Sequence, residues 1–473
     1  MKSNRRKFLQ YSGLAGVAVA VGDMMKGFAT TTLDLTATHK RMDRGNKDHF
    51  NMCGYAAPKL ETVRIGFIGL GNRGPGAVER MGHIGGVAIK ALCDVRPEKV
   101  AAVKKKLTGT SHHPAVYTGK DNEWKKLCES QDIDLVYIAT PWHLHTSMAV
   151  YAMEQGKHVC VEVPAAKTIE ECWQLVETSE RTRKHCMMLE NCCYDFFELL
   201  TLNMVRQGLF GEIIHGEGAY NHDLLLSNFD KDKYYDMWRL KENFRNGNLY
   251  PTHGLGPVAQ VMDINRGDKM DYLIAMQSND FMMAKMAAEL AKKDNFFTPY
   301  ANKSYRGNMN VTTIRTGNGR TIMLQHDVTS PNIYSRIFKI SGTKGSALKY
   351  PVPGKITFGD EDWLSEAGYK TMEEKYRPAI VNKVGELAKQ VGGHGGMDFL
   401  MDWRTIDCLR NGLPLDMDVY DAALWSSVAP LSETSVANRS TAVDFPDFTS
   451  GSWRTNQPID ITLEKGGTTK VVM

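Results

Sequence analysis

The chain has 473 residues, 42% of them hydrophobic and 24% charged, a composition that excludes a largely disordered protein. Its formal net charge of +4 is reached within the first 29 residues, so the rest is near neutral and lacks the basic excess that nucleic acids or anionic membranes attract. The nine cysteines form no CxxC pair and no zinc-like spacing, so we expect mostly buried free thiols rather than a disulfide framework.

Residues 1–29 resemble a twin-arginine export signal. Arg5 and Arg6 precede a weakly apolar run that is too short for a membrane-spanning helix, which needs about 20 residues. We therefore expect twin-arginine export machinery as a partner, no stable membrane span and a location in the bacterial periplasm. A flexible basic tail on a cytosolic protein is the alternative. Residues 30–60 lack periodicity and are predicted to be a linker.

Strand and helix patterns alternate between residues 61 and 194. The apolar runs VRIGFIGLG and VAIKALCDV are each followed by a helical pattern, which is typical of a βαβ unit. The runs DIDLVYIATP, KHVCVEVP and HCMMLENC continue the alternation, and the last of them places Cys192 and Cys193 on a strand. This pattern predicts an α/β domain with a doubly wound parallel sheet, the Rossmann arrangement.

Long strand-like stretches dominate the chain after residue 194, and helical patterns are concentrated at residues 255–265 and 366–440. Such segregation predicts an α+β domain over residues 195–473, with an open, mainly antiparallel sheet and helices against one face. We expect this domain to hold the substrate and to form the contacts of any homo-oligomer.

The first motif that carries chemistry is a GxGxxG turn made by Gly69, Gly71 and Gly74. It follows a strand, opens a helix and precedes Asp94 at the end of the next strand, the arrangement of a dinucleotide-binding site. Backbone N–H groups of the turn would meet the pyrophosphate, and Asp94 would accept hydrogen bonds from the ribose. A carboxylate repels a 2′-phosphate and so favours NAD, although Arg96 keeps NADP as an alternative.

A second motif, Ala-Thr-Pro-Trp-His-Leu-His over residues 139–145, follows the fourth predicted parallel strand. It lies at the carboxyl edge of the sheet, where ligands bind in such folds. The spacing of His143 and His145 raises the possibility of a metal, but no further ligand stands at a suitable spacing nearby. We therefore predict a cofactor-lining loop and no metal.

Residues 61 to about 440 resemble the glucose–fructose oxidoreductase and inositol dehydrogenase family, and within it the glycosidases of glycoside hydrolase family 109. The resemblance rests on GFIGLGNRGPG, IATPWHLHTSMAVYAMEQGKHVCVEVPAA, NLYPTHGLGPVAQ, NIYSR and HGGMDFLMDWRTIDCLRNG, among other stretches. It implies an exported enzyme that uses tightly held NAD⁺ to hydrolyse terminal N-acetylhexosaminides, with α-N-acetylgalactosaminides as the foremost substrates.

The resemblance also implies two sets of site residues. The cofactor would contact Asn72, Arg73, Asp94, Trp142, His143, Leu144, His145, Glu162, Val163, Asn191, Tyr250, Pro251, Thr252 and His253. The sugar would contact Tyr220, Arg239, Tyr250 and Tyr334.

Sugar dehydrogenases of this family carry Glu-Lys-Pro after the fifth strand, with the Lys as acid/base, whereas this chain has Glu162-Val163-Pro164. NAD-dependent glycosidases are an exception to the rule of two carboxylates. The implied route is oxidation at C3 of the sugar, loss of the C2 proton, elimination of the leaving group, addition of water and return of hydride to C3. It needs a base at O3, a base at C2 and assistance to the leaving oxygen.

His253 and Tyr194 are the candidate bases. His253 precedes a predicted helix, whose N-terminus disfavours the imidazolium and so keeps a neutral base available for O3. Tyr194 follows the strand that ends near Asn191, and we expect it to project toward the nicotinamide as the base at C2. The alternatives are a histidine that merely satisfies a helix terminus and a tyrosine that packs in the core.

Two other functions remain possible. An exported sugar dehydrogenase fits the fold, but the valine at position 163 and the absence of an evident route for recycling NADH outside the cell count against it. A sugar-binding protein with a structural dinucleotide is disfavoured by Tyr250 and His253 together. The anomer, the galacto or gluco configuration, the aglycone and the oligomeric state stay open.

Overall fold

The computed structural model describes residues 49–359 and 361–473. The predicted export signal and residues 30–48 of the predicted linker lie outside this part of the chain. Residues 49–60 pack against the folded body, where Met52 is buried and its N–H donates to the Tyr420 hydroxyl at 3.0 Å. Among the described residues, no helix has both the length and the apolar character needed to cross a bilayer.

The first domain is built on a six-stranded parallel sheet with the order β3-β2-β1-β4-β5-β6. Its strands are β1 (Val63–Ile68), β2 (Val87–Asp94), β3 (Ala115–Thr118), β4 (Leu135–Ile138), β5 (His158–Val161) and β6 (Cys186–Met188). Its helices are α1 (Gly74–Gly82), α2 (Pro97–Lys106), α3 (Glu123–Glu129), α4 (Trp142–Glu154) and α5 (Ile169–Thr182). This is the predicted doubly wound sheet, and its strands meet ligands at their carboxyl ends.

Local sequence explains these elements. The central strands β4 and β5 are short runs that are buried at every position, as expected for strands covered on both faces. Thr168 caps α5 and forms a reciprocal capping box with Glu171, which satisfies N–H groups at the start of the helix.

The second domain contains an eight-stranded sheet with the order β13-β12-β11-β7-β10-β9-β8-β14. Its strands are β7 (Ile213–Asn221), β8 (Met270–Gln277), β9 (Asn310–Thr316), β10 (Thr321–Asp327), β11 (Lys339–Gly342), β12 (Ser346–Leu348), β13 (Lys355–Thr357) and β14 (Val443–Asp444). Neighbouring strands are antiparallel except β7 and β10, which run parallel. The prediction of a mainly antiparallel sheet is confirmed.

Helices of the second domain join the two sheets. They are α6 (Phe196–Arg206), α7 (Leu225–Asn228), α8 (Trp238–Glu242), α9 (Thr252–Val261), α10 (Met283–Lys293), α11 (Glu366–Tyr376), α12 (Ala379–Val391), α13 (Met397–Asn411) and α14 (Val419–Ala437). Helix α14 contacts both α5 and β8, and α13 contacts α1. One hydrophobic cluster therefore runs through both domains.

One local prediction is wrong, and two longer helices were missed. Residues Asn191–Tyr194 form a 3₁₀ turn rather than a strand, because the chain leaves the sheet after β6 and turns into α6. Helices α6 and α10 were not anticipated from the sequence. The cysteine prediction is confirmed, since all nine thiols are free and eight of them are buried, Cys53 being partly exposed.

Candidate active site

A cavity of about 600 Å³ opens at the carboxyl edge of the parallel sheet. It is lined from the first domain by the segments that follow β1, β2, β3, β4 and β5, and from the second by β7, residues 233–236, Trp238, Arg239, Tyr250, His253 and His394. Its size is within the usual range for small-molecule sites. The cavity therefore lies where the topology of a doubly wound sheet places a ligand.

The glycine turn has the shape that a pyrophosphate requires. Gly69 has φ +91°, and a Cβ there would lie 2.5 Å from the Ala139 carbonyl oxygen, so the turn accepts no side chain. A Cβ on Gly71 would approach only Arg96 Nη2, at 3.3 Å, so its backbone is open to a ligand in the cavity. Gly74 lies outside the lining and begins α1. These features fit a dinucleotide at the N-terminus of α1.

Asp94 ends β2 and faces the cavity. One carboxylate oxygen accepts from the Leu70 N–H at 2.7 Å, and the other accepts from Arg96 N–H at 2.9 Å and Nε at 3.2 Å. The Arg96 guanidinium also lies 5.3 Å over the Tyr235 ring. Because its charge is already compensated, Arg96 does not offer a free cation for a 2′-phosphate, and the arrangement fits NAD.

Trp142, His143, Leu144 and His145 all line the cavity, as predicted. Trp142 stacks on the Tyr250 ring with centroids 5.5 Å apart. His145 uses both ring nitrogens, with Nδ1 2.7 Å from the Pro164 carbonyl oxygen and Nε2 2.8 Å from that of Thr140. Burial lowers the pKa of His145 despite these bonds. Because a neutral imidazole carries one N–H, it donates to one of these two carbonyl oxygens and so holds the loop in place.

Glu162 and Val163 line the cavity beside Arg73. Arg73 Nε donates to Glu162 at 2.9 Å, and Arg73 Nη1 lies 3.2 Å from Asp398. Asn191 also lines the cavity and donates through Nδ2 to the same Asp398 carboxylate at 2.5 Å. A guanidinium thus stands at the edge where the sequence has valine in place of the dehydrogenase lysine.

His253 lies in the first turn of α9 and lines the cavity. Its Nδ1 lies 2.8 and 2.9 Å from the two oxygens of Glu190, which is fully buried, and its Nε2 lies 3.4 Å from the Tyr250 hydroxyl. Burial raises the pKa of Glu190, but His253, together with hydrogen bonds from Thr252 and the Cys192 N–H, outweighs this effect, and the net pKa is lowered. A carboxylate accepts hydrogen bonds, so Nδ1 carries a proton, and in the neutral imidazole the lone pair is then on Nε2, which faces the Tyr250 hydroxyl.

The sugar-binding candidates divide into two groups. Tyr220, Arg239 and Tyr250 line the cavity. The Arg239 guanidinium lies 5.5 Å from the Trp142 ring and 5.7 Å from the Tyr250 ring, with Trp238 and Tyr234 at similar range. Tyr334 lies outside the lining, with its ring 6.3 Å from Tyr220 and 36% of its surface exposed.

Three further candidates do not reach the cavity. Pro251 and Thr252 are buried at the start of α9 and contribute no lining surface. Tyr194 is also buried, and its hydroxyl donates to Asp416 Oδ2 at 3.0 Å, beside Arg404. Burial, reinforced by Asp416, raises the pKa of this phenol well above its usual range. In this structure Tyr194 lies in a 3₁₀ turn and does not line the cavity, so the geometry does not bring it together with His253, and its role as the base at C2 stays a prediction.

His394 is a lining residue that sequence reasoning missed. It lies in a run of five residues with positive φ, from Gly392 to Gly396, which four glycines permit. Its Nδ1 lies 3.0 Å from Asp398 Oδ2, and about half of its side chain is exposed. The symmetrical Gly-Gly-His-Gly-Gly stretch was the available signal, but nothing in the linear pattern shows that this loop returns to the first domain.

A segment of the second domain covers the cofactor side of the cavity. Lys233, Tyr234, Tyr235, Asp236 and Trp238 all contribute to the lining. Asn72 Nδ2 donates to the Lys233 carbonyl oxygen at 3.2 Å, and the Trp238 ring lies 5.3 Å from Trp142. We call residues 233–238 the cover segment. It joins the glycine turn to the Trp142 loop across the cavity.

Comparison with known proteins agrees with this geometry. Residues 63–190 match the family model described as "Oxidoreductase family, NAD-binding Rossmann fold", and residues 194–455 match "Glycosyl hydrolase 109, C-terminal domain". Glycosyl hydrolase family 109 protein 1 of Bacteroides fragilis (strain YCH46) is 49% identical over 426 residues, covering 86% of this chain and 89% of its own. A family 109 protein of Solibacter usitatus (strain Ellin6076) is 46% identical over 465 residues, covering 97% and 100%.

Solved structures show the same fold at low identity. A levoglucosan dehydrogenase in complex with NADH is 18% identical and superposes with a TM-score of 0.59, covering 81% of this chain and 99% of its own. The two family models and the close relatives confirm that the protein is an enzyme, an NAD-dependent glycoside hydrolase, with NAD as its cofactor. By these matches, the chain belongs to glycosyl hydrolase family 109.

Proposed function

We propose that this enzyme hydrolyses terminal N-acetylhexosaminides, α-N-acetylgalactosaminides foremost, without net oxidation of the sugar. The observation that supports this is one shared cavity, lined both by the dinucleotide-binding edge and by the tyrosines, Arg239 and His253. When bound, NAD supplies a reversible oxidation at C3 of the sugar, so the residues of the chain have to move only protons.

His253 is assigned to the proton of the C3 hydroxyl. Its Nε2 has a free lone pair because Nδ1 is engaged with Glu190. The nearby Tyr250 hydroxyl, 3.4 Å from Nε2, can hold an oxygen of the sugar against the histidine. A base within hydrogen-bond reach of the reacting proton is the geometric requirement for general base catalysis.

His394 is assigned to the leaving oxygen. Its side chain is about half exposed, and the departing aglycone has to leave toward solvent, whereas a base for C2 or C3 belongs deeper in the cavity. Asp398 fixes the imidazole through Nδ1, leaving Nε2 to donate a proton to the leaving oxygen and later to take one from water. The sequence analysis named no residue for assistance to the leaving group, so this assignment adds a role and changes none.

Arg239 is assigned to the acetamido carbonyl oxygen. It is held among aromatic rings, and the groups that dominate its electrostatic surroundings are the phenols of Tyr220, Tyr234 and Tyr250. A guanidinium held in this way keeps donors free for a neutral oxygen of a ligand. The rings of Tyr220 and Tyr250, 4.6 Å apart, offer apolar surface to the pyranose.

The experiment is an assay of purified protein against chromogenic α- and β-N-acetylhexosaminides, with no cofactor added. Release of chromophore from the α-galacto substrate, without growth of absorbance at 340 nm, supports the proposal. Hydrolysis in D₂O should place deuterium at C2 of the released sugar, because elimination through a C3 ketone requires the C2 proton to leave. Turnover without exchange at C2 would refute the route, stoichiometric NADH would indicate a sugar dehydrogenase, and sugar binding without turnover would indicate a binding protein.

We also propose export by the twin-arginine machinery to the bacterial periplasm. The support is the pair Arg5 and Arg6 before a short apolar run. Since this machinery carries folded proteins, NAD can be bound before export. Replacing both arginines by lysine should retain the protein in the cytoplasm, as cell fractionation would show, and periplasmic recovery of the double variant would contradict the proposal.

A further inference from the structure

The residues that follow β6 place two buried polar side chains between His253 and His394, two of the histidines that line the cavity. Glu190 is fully buried and Asn191 is 2% exposed. Glu190 contacts His253, and Asn191 donates to Asp398, which holds His394. Buried polar groups of this kind need partners to offset their desolvation, so their contacts are informative about what they do.

The Glu190 carboxylate accepts hydrogen bonds from donors in two segments of the chain. Its two oxygens both approach His253 Nδ1, at 2.8 and 2.9 Å, and Oε1 also accepts from the Cys192 N–H at 3.1 Å. This backbone bond fixes the carboxylate to the 3₁₀ turn, independently of the histidine. The imidazole is therefore oriented by a group that is itself anchored, as in other sites where a carboxylate orients a histidine.

The other titratable groups that face His253 are neutral at pH 7. They are the phenols of Tyr220 and Tyr250 and the thiol of Cys192, and burial raises the pKa of each. Among the described residues around this imidazole, Glu190 thus supplies the negative charge. Atoms that could bind a metal ion lie within 4.8 Å of one another on Glu190, Cys192 and His253. His253 Nδ1, however, is already hydrogen-bonded to Glu190.

We infer that Glu190 is the positioning residue that sets the tautomer of His253 and stabilises its imidazolium when His253 takes a proton from the substrate. The inference rests on the proposed role of His253 as base at O3 and deepens it. Glu190 does not touch the cavity, so it acts through His253 alone. Removing its charge should make the imidazolium less stable and should also release the constraint on which nitrogen carries the proton.

The test replaces Glu190 by glutamine, Glu190→Gln, which keeps the size of the side chain and removes its charge. The matched control is Glu180→Gln. Glu180 is also buried and lies 2.9 Å from Nδ1 of a different histidine, His49, at a place that does not line the cavity. Both variants therefore remove a buried carboxylate from a histidine, but only one of those histidines lies in the site.

The first measurement is the NMR spectrum of protein with ¹⁵N-labelled histidine, in which the His253 signals are identified by their loss in His253→Ala. In the unaltered protein and in Glu180→Gln we expect the proton on Nδ1. In Glu190→Gln we expect the Nε2–H form to appear and His253 to titrate at a pH lower by about one unit or more, the usual effect of a removed opposite charge. An unchanged tautomer and an unchanged titration in Glu190→Gln would overturn the inference.

The second measurement is the pH profile of hydrolysis. In Glu190→Gln we expect kcat to fall between about 10²- and 10⁴-fold and the acidic limb to move to lower pH. A merely structural role would lower the amplitude and leave the limb in place, which would count against the inference. If the unaltered protein hydrolyses no N-acetylhexosaminide, the proposed function fails, and the NMR measurement still decides the role of Glu190.

Discussion

Replacing Tyr194 by phenylalanine separates a structural tyrosine from a catalytic one. Tyr194→Phe deletes a single oxygen, whose hydrogen bond to Asp416 is 3.0 Å long and lies outside the cavity lining. A hydrogen bond to a charged group contributes about 1.5–3 kcal/mol. Asp416 keeps Arg404, whose Nε and Nη2 lie 3.0 to 3.1 Å from its oxygens, so the carboxylate is not left without partners.

We therefore expect the lower end of that range, a loss of about 1.5 kcal/mol in the free energy of unfolding. In a protein of this size the thermal midpoint should fall by only about 1.5–2 °C. Hydrolysis should stay within about threefold of the unaltered protein, whereas loss of an acid/base group lowers a rate by about 10²- to 10⁴-fold.

The matched control is Tyr250→Phe, which deletes the same atom from a tyrosine that lines the cavity, 3.4 Å from His253 Nε2. We expect kcat to fall at least about tenfold in this variant, because the hydroxyl no longer holds the sugar against His253. The two variants should be compared by steady-state kinetics and by thermal unfolding. A hundredfold loss of kcat in Tyr194→Phe, with a nearly unchanged thermal midpoint, would refute the position assigned to Tyr194.

Four further predictions follow from the same geometry. His253→Ala should lower kcat by about 10²- to 10⁴-fold with NAD still bound, and activity within threefold would contradict its role as base. Tyr235→Ala in the cover segment should speed the loss of NAD on dialysis, because the ring that packs under the Arg96 guanidinium is removed. The absorbance of the released dinucleotide measures this loss, and unchanged retention would contradict a role of the cover segment in holding NAD. Val163→Lys should not improve hydrolysis, and a gain in kcat would contradict our interpretation of that position. Burial lowers the pKa of His185 to about 4, below the ordinary 6.5, so roughly 3 kcal/mol of the free energy of unfolding should be present above pH 6.5 and lost as the pH falls toward 4. In urea unfolding, His185→Phe should lose less stability over this pH range, and an equally steep loss would refute the assignment.

Much of the fold follows from hydrophobic patterning, and the glycine turn with Asp94 follows from spacing. Those features are local: a strand, a turn and a helix within one βαβ unit fix where Gly69, Gly71 and Asp94 stand. The sequence could argue against a metal at His143 and His145 only from the lack of further ligands at a suitable spacing. It could not show that both ring nitrogens of His145 face carbonyl oxygens.

The contacts that the sequence did not predict join residues that are far apart in the chain. Glu190 and His253 are separated by 63 positions, and Asn191 and Asp398 by 207, so no spacing rule joins them. Tyr194 was expected to project toward the nicotinamide because it follows the strand that was predicted to end near Asn191. A 3₁₀ turn there reverses the direction of the side chain, and such a turn depends on the packing of α9 and α13 against it rather than on local propensity.

The valine in Glu-Val-Pro lies at an edge where Arg73, rather than a lysine at position 163, supplies the positive charge. Val163 is 3% exposed, and the adjacent Glu162 is already paired with Arg73, which the glycine turn supplies and Asp398 also holds. A lysine at position 163 would bring a second cation to this edge, beside a carboxylate whose partner is in place. With an apolar side chain there, position 163 offers no acid/base group, and the proposed mechanism assigns proton transfer to His253 and to His394, which lies 3.3 Å from Arg73. A lysine-based dehydrogenase needs one proton transfer at the oxidised carbon, whereas a hydrolase that restores that carbon must also handle protons at the neighbouring positions. In the proposed mechanism two histidines provide such groups: Glu190 holds His253, and Asp398, which also binds Arg73, holds His394.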